Sequence, residues 1–458
     1  MSVSWYEFLI MSGIVSGSAI PSVKENVFNW NYNNEKFRVE NHLEILGINF
    51  SSDYESITIL DPQLEFDQID QLLRRDYCGG QENGEQNIIS NISCVEPPIR
   101  GVVVQLNRLG LLTAGSCAGH IQQNRRTLPW ISFFTRNDTL VASELFKSLS
   151  IPIDYYSLDR LQINVTTNEL YRLALKLSEI RSVDDVRKGI FKVRKRTLLE
   201  LLQIPGETGN ENSVREYVIA KLKDHKRECR RLFFSVDRQG NILGSTIPSR
   251  GLGRGIGRAG QALRKKMMFA AHLDVVQEFS PSDKVVMKGN IVSRERGILG
   301  ADDRAGVAII LNLLREVGGV RNCPPFKFVF TVGEEQGQYG AEAIDLDFFE
   351  DVSFGISLDR QCCRDIVYKS PSQEYSTREF AERVERVSSR IFTEENKYVP
   401  CEGGVSDLRV WSNKDTRPCV NLSVGYCKAH SNEEYLDLSC WDRTHQLAKE
   451  LISRYNPS

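Results

Sequence analysis

Apolar and polar positions follow two different rhythms along the chain. Up to residue 190, a polar, asparagine-rich start is followed by a polar loop, CGGQENGEQN (78–87), and then by short alternating patterns. Apolar positions three and four apart predict helices over 99–109, 140–149 and 168–180. Short apolar runs predict strands over 111–114, 129–134 and 160–166. This mixture predicts a small α+β domain over residues 1–190. Residues 181–189, RSVDDVRKG, are charged and read as a linker. No internal repeat is visible.

Beyond residue 195 the rhythm changes. TLLELL predicts a short helix, PGETG a break, and NENSVREYVIAKLKDH a second, amphipathic helix capped within 210–213. LFFSV (232–236) reads as a strand that runs into the turn DRQGN. From Met267 onward, one apolar strand after another ends in side chains that bind metals. MMFAA ends in His272-Leu-Asp274, FKFVFTV in Gly333-Glu334-Glu335, and FGISL in Asp359, while CVNLSV runs on through GYCKA to His430. GADDRAG (300–306) sets Asp302 and Asp303 at the mouth of an apolar helix. In an open α/β sheet, ligands bind at the carboxyl ends of strands, so these side chains are expected to converge. The expected fold of residues 191–458 is therefore α/β: a mixed, mostly parallel sheet flanked by helices, preceded by the smaller α+β domain.

Counting His272, Asp274, Asp302, Glu334, Glu335, Asp359 and His430, the inventory is two His, three Asp and two adjacent Glu. Carboxylates are almost never fully buried unless paired or metal-bound. Imidazole and carboxylate donors without thiolate suit zinc, cobalt or manganese in a catalytic site. The bulk numbers add limits. A chain of 458 residues exceeds one ordinary core and predicts two domains. A net charge of −2 supplies no global attraction to nucleic acid, and no apolar run reaches membrane-spanning length. The basic, glycine-rich stretch SRGLGRGIGRAGQALRKK (249–266) lacks interleaved aromatics and reads as a solvated loop. The eleven Cys form no regular framework, which suits free thiols in a reducing compartment, and Cys362-Cys363 does not read as a disulfide clip. The first residues lack a basic segment and carry Glu7, so a signal peptide is not expected and the expected location is cytoplasmic.

Taken in order, HLDVV, GADDRAG, TVGEEQGQYGA, SLD and the late His resemble the zinc-dependent exopeptidase superfamily, whose members carry two co-catalytic zinc ions. The opening TLLELLQIPGETGNENSVREYV and the DRQGN turn are similar to the start of its catalytic domain, so the resemblance covers residues 195–455. It implies that Asp302 bridges two divalent cations, zinc first, with cobalt or manganese as alternatives. His272 and Asp359 would complete one site, and Glu335 and His430 the other. Glu334 would be the general base. Asp274 would accept the second N–H of His272, and Asp303 would support the turn, next to a cis bond. Neither a lid domain between Asp359 and His430 nor an inserted β-domain between His272 and Asp302 has room, so the compact branch with single-domain aminopeptidases fits best.

GGVSD (403–407) resembles a substrate-side loop of these enzymes, which makes Gly404, Ser406 and Asp407 substrate-binding candidates, with Tyr426 beside them. A plain turn before residues 408–411 is the equal alternative. The implied activity is metal-dependent cleavage of a terminal peptide bond, as an aminopeptidase. A deacylase of N-acyl or amide metabolites and a non-catalytic binding module are the alternatives. The expected partner is a peptide or small amide, with no nucleic acid and no membrane. Residues 1–190 carry no family resemblance, and Cys117 and His120 in GSCAGH are either structural, a thiol–imidazole pair or a metal half-site. His42, His225 and His445 show no partner pattern, and Glu433 and Glu434 are expected to face solvent.

Overall fold

The strand Lys266–His272 is buried along its whole length and lies inside an eight-stranded sheet. Both faces are covered, which is why MMFAA is continuously apolar rather than alternating. The structure, a computed structural model, describes residues 2–15, 22–24, 26–29, 33–53, 55–77, 94–119, 121–122, 125–228, 232–247, 265–277, 279, 282–317, 320 and 322–455. The loop 78–87, His120 and most of the basic stretch 249–266 lie outside the described residues.

The chain divides into two units, residues 1–188 and 189–458. In the second unit the sheet order is Phe233–Val236, Ile242–Ser245, Phe326–Thr331, Lys266–His272, Val352–Arg360, Cys419–Ser423, Asp365–Lys369 and Val399–Glu402. The four strands from Phe326–Thr331 to Cys419–Ser423 pair in parallel. The first two strands and the Asp365–Lys369 pairing with Cys419–Ser423 are antiparallel. This is the mixed α/β sheet the apolar runs predict, and the parallel centre brings the carboxyl ends of its strands to one edge.

Helix Ala301–Val317 packs on the central strands and is buried nearly all round, as its apolar sequence requires. Its entry lies so close to the strand Val352–Arg360 that a Cβ on Gly306 would strike the Leu358 carbonyl oxygen and the Asp303 carboxylate. Helix Leu438–Arg454 starts where the Asp437 side chain accepts the N–H of Ser439 and Cys440. Between His272 and Asp302 the described residues form one hairpin, Val285–Lys288 with Ile291–Arg294, which continues into Tyr435–Asp437 and Tyr426–Cys427.

Two sequence expectations need correction here. The division between units falls within residues 181–189, the charged linker, but these residues enter a helix, Asp184–Leu201, rather than a loop. Asp184 and Asp185 occupy its first turn, where carboxylates favour the helix N-terminus. The second concerns the thiols: Cys363 forms a disulfide with Cys440, with Cα atoms 5.1 Å apart. The two are 77 positions apart in sequence, so no local spacing announces the pair.

The first unit contains the antiparallel sheet Ile153–Ser157, Arg160–Ile163, Trp130–Phe133, Thr113–Cys117. Helices Pro97–Arg108, Arg136–Ser148 and Thr167–Ser178 accompany it. Thr166 and Glu169 form a capping box at the start of the last of these. A second antiparallel sheet, Ser22–Lys24, Val27–Asn29, Ser56–Ile59, Phe50–Ser52, lies in the polar beginning, over a core that includes Phe8, Phe28, Leu43 and Ile57.

Candidate metal centre

His272 ends the strand Lys266–His272, and its Nε2 stands 3.1 Å from Asp302 Oδ1 and 3.6 Å from Asp359 Oδ1. His430 Nε2 lies 3.3 Å from Asp302 Oδ2 and 3.0 Å from Glu335 Oε1. The five side chains thus form two triads, His272–Asp302–Asp359 and Asp302–Glu335–His430. Within each triad the donor atoms lie within 4.8 Å of one another, and Asp302 is common to both. Asp302 sits next to a cis peptide bond to Asp303. The Asp303 carboxylate accepts the N–H of Gly306 at 3.0 Å and of His272 at 3.2 Å, so it ties the turn to the strand that carries His272.

Asp274 does more than face the imidazole. Its carboxylate is 3.5 Å from His272 Nδ1, while Nδ1 lies 3.1 Å from its own backbone oxygen. The same carboxylate accepts the N–H of Glu334 at 3.1 Å, the N–H of Glu335 at 3.2 Å and the Thr208 hydroxyl at 2.8 Å. Asp274 therefore positions two strand ends together. Burial raises its pKa, but the His272 imidazole, the Thr208 hydroxyl and the Glu334 N–H outweigh that and hold it down to about 2.

Glu334 is directed differently from Glu335. Gln338 Nε2 donates to Glu334 Oε1 at 3.2 Å. Burial raises the Glu334 carboxyl above its usual range, with the Glu335 and Asp302 charges adding to it. Gly333, with φ +65°, turns the chain at this strand end, and a Cβ there would collide with the Tyr339 ring.

The electrostatics of the protein groups alone are unbalanced. Burial pushes Asp359 up to about 8, with the Asp302 and Glu334 charges adding to it against His272. Burial likewise drives Asp303 far up. His430 rises to about 10 through its hydrogen bonds to Asp302 and Glu335. His272 rises well above its usual value although burial opposes this, because Asp274, Asp302 and Asp359 surround it. Asp303, Asp359 and Glu334 are thus pushed toward their protonated forms, whereas Asp302 and Asp274, beside the imidazoles, are held ionised. A pair of divalent cations would supply counter-charge, and the donor set of oxygen and nitrogen with no sulfur fits borderline ions such as zinc.

Glu434 was expected in solvent and is not. It is only 3% exposed, and its carboxylate accepts the N–H of Gly300 (2.8 Å), Ala301 (2.8 Å) and Asp302 (3.1 Å). Glu433 does face solvent, paired with Lys428. An adjacent Glu-Glu pair carries no sequence signal that tells the buried member from the exposed one.

The remaining candidates fall in different places. Tyr426 is buried and its hydroxyl donates to Asp359 Oδ1 at 3.2 Å. Asn421 brackets Asp359, accepting its N–H at 3.0 Å and donating to its carbonyl at 2.9 Å. Asp407 is buried, takes the Thr331 hydroxyl, and lies within the field of Glu334 and Asp359. Ser406 is buried and Gly404 is exposed, its carbonyl accepting the Tyr375 hydroxyl at 3.2 Å. Among the other histidines, His445 is buried 3.6 Å from Glu316, and His42 Nδ1 lies 2.8 Å from the Arg38 carbonyl. In the first unit Cys117 Sγ accepts the Gly119 N–H at 3.4 Å.

Residues 268–454 match the family described as Peptidase family M20/M25/M40. An uncharacterized protein of Bacillus subtilis (strain 168), YqjE, is 29% identical over 164 residues, covering 35% of this chain and 41% of that protein. The chain thus matches about two fifths of that relative's length. Aminopeptidase PepT from Bacillus cereus is 18% identical with a TM-score of 0.46, over 57% of this chain and 98% of that one. A tripeptidase from Staphylococcus aureus is 18% identical with a TM-score of 0.43 over the same shares. The TET1 peptidase of Pyrococcus horikoshii is 18% identical with a TM-score of 0.44, over 57% of this chain and all of that one.

Proposed function

From the premise that residues 268–454 belong to the zinc-dependent exopeptidase superfamily, we propose that this protein is a metal-dependent aminopeptidase. The observation that carries the reading is the pair of triads sharing Asp302, with Glu334 beside them. His272 and Asp359 would hold one divalent cation, Glu335 and His430 a second, and Asp302 both. When bound, such a pair polarises the scissile carbonyl and lowers the pKa of a shared water toward ~7.

The protein's own groups do the rest. Glu334 takes the proton of the attacking water on its carboxylate and returns it to the leaving amine. Its burial raises its proton affinity, which suits a group that must hold a proton between two steps. Gln338 fixes one of its oxygens, and Asp274 fixes its backbone. Tyr426 and Asn421 hold Asp359 in place, and Gly404, Ser406, Asp407 and Tyr426 remain the substrate-side assignment. We place the protein in the cytoplasm. No helix among the described residues is long and apolar enough to cross a membrane.

The test is a panel of peptides with free or blocked amino termini, together with N-acyl amino acids, offered to metal-loaded protein. An aminopeptidase cleaves only the free-amine peptides and stops on chelation. Cleavage restricted to N-acyl substrates would assign a deacylase with the same site. No turnover of any substrate by protein that holds two cations would leave a binding module.

A further inference from the structure

Beside the Cys363–Cys440 disulfide lie two cysteines that are not disulfide-bonded, Cys362 and Cys427. The Cys427 thiol stands close enough to the Cys362 thiol to add to the rise that burial gives its pKa. The backbone holds them there. The Cys362 N–H donates to the Tyr426 carbonyl at 2.7 Å, and the Gly425 N–H donates to the Cys362 carbonyl at 2.8 Å. Tyr435 faces Cys427 across an antiparallel pair. Cys362 is exposed and takes φ +68°, a left-handed conformation uncommon for a residue with a side chain.

The place matters because of what flanks it. Cys362 follows Asp359 by three residues, and Cys427 precedes His430 by three. Between the thiols and the site, Tyr426 donates to Asp359. The His430 side chain is the most exposed of the five: it is 52% exposed, and both Lys428 (φ +56°) and His430 (φ +61°) are left-handed.

We propose that Cys362 and Cys427 are an oxidation site, at which a hydroperoxide closes a second disulfide that staples the His430 segment to the turn after Asp359. Cys362, the more exposed thiol, attacks one oxygen of hydrogen peroxide; the O–O bond breaks, water leaves, and Cys362 becomes a sulfenic acid. The Cys427 sulfur then attacks the Cys362 sulfur, the S–S bond forms, and a second water leaves. Two thiols lose two electrons and two protons, and one peroxide becomes two waters. Partial burial and the adjacent Cys427 hold the Cys362 thiol above its usual pKa, so closure is slow at neutral pH and quickens as pH rises. The bridge stands independently of the metal assignment, and only its effect on cation release rests on that reading.

The experiment treats the full-length protein with hydrogen peroxide, blocks remaining thiols with iodoacetamide under denaturing conditions, and maps non-reduced peptides by mass spectrometry. The expected product is a Cys362–Cys427 cross-linked peptide alongside an unchanged Cys363–Cys440 peptide, absent from Cys362→Ser and from Cys427→Ser. Sulfinic or sulfonic acid at Cys362 without that cross-link, or exchange of Cys362 into the existing bridge, overturns the proposal. Zinc release into a chromophoric chelator is then timed for reduced and oxidised protein. Several-fold slower release after oxidation in the wild type, and no change in Cys427→Ser, supports the staple; equal rates overturn it. A protein that binds no zinc at all refutes the proposed function, and the cross-link is still judged by mass alone.

Discussion

Glu434 Oε1 accepts the backbone N–H of Asp302 at 3.1 Å, so a carboxylate that binds no metal donor atom fixes the residue shared by both triads. With Gly300 and Ala301 also donating, three N–H groups at one turn depend on this single side chain. Glu434→Gln turns an amide N–H₂ toward these donors and leaves part of the set unsatisfied. The expected loss is about 1–3 kcal/mol of stability. Urea denaturation measures it, and Glu433→Gln, at the exposed neighbour, should stay within about 0.5 kcal/mol of wild type.

Sharing of Asp302 makes cation loss unequal among the donors. Asp302→Ala is expected to abolish binding of both cations, whereas His430→Ala should spare the site built from His272, Asp302 and Asp359. Elemental analysis after dialysis against zinc reads this directly. Equal stoichiometry in the two variants would contradict a bridging Asp302.

Glu334→Gln keeps size and the contact to Gln338 but removes the proton-accepting oxygen. Turnover should fall by roughly 10²–10⁴-fold, the usual worth of a positioned acid–base group. Metal content should not change, because Glu334 belongs to neither triad. Retained turnover in metal-replete protein would refute its role as base.

His225 provides a pH signature of folding. Burial, reinforced by the nearby Arg315 and Lys221 charges, holds its pKa down to about 4. Below pH 6.5 the unfolded chain binds a proton at this position that the folded chain refuses, until pH falls through about 4. Its contribution is therefore present at neutral pH and is lost as pH falls through that window, by ~2 kcal/mol between pH 7 and pH 4.5. The stability difference between wild type and His225→Gln, measured by denaturant at pH 7 and pH 4.5, should shift by that amount against the wild type. A pH-independent difference would mean that His225 titrates alike in both states.

The sequence displays the sheet's centre because its strands are buried on both faces and hence continuously apolar, and each ends in a polar side chain that has no other reason to be there. His272, Glu335 and Asp359 were legible for that cause, Asp302 from the carboxylate pair that opens an apolar helix, and His430 from the family resemblance. Glu434 was not, since whether the second of two adjacent carboxylates turns inward depends on N–H groups more than a hundred positions upstream. Asp274 was legible as a partner of His272, but its hold on the Glu334 and Glu335 backbones is a contact between neighbouring strands that spacing does not encode. The Cys363–Cys440 bridge was hidden by the same kind of distance. Residues 181–189 looked like a tether because they are charged, yet the helix through them is anchored by side chains beyond that window, with Arg194, Leu198 and Leu201 buried.

Arg194 on that helix has a consequence for dissecting the chain. Its guanidinium pairs with Glu316 at 2.6 Å and with Asp442 at 2.8 Å, and Lys449 reaches Glu316 at 3.1 Å, all but Asp442 nearly inaccessible to water. Removing one member of such a buried set strands the others and costs about 3–5 kcal/mol. A shortened protein that starts at the family-matched residue 268 would strip Arg194 from Glu316 and Lys449 and should be recovered as aggregate, whereas one that starts upstream of Asp184 keeps the helix whole and should be recoverable as a folded hydrolase.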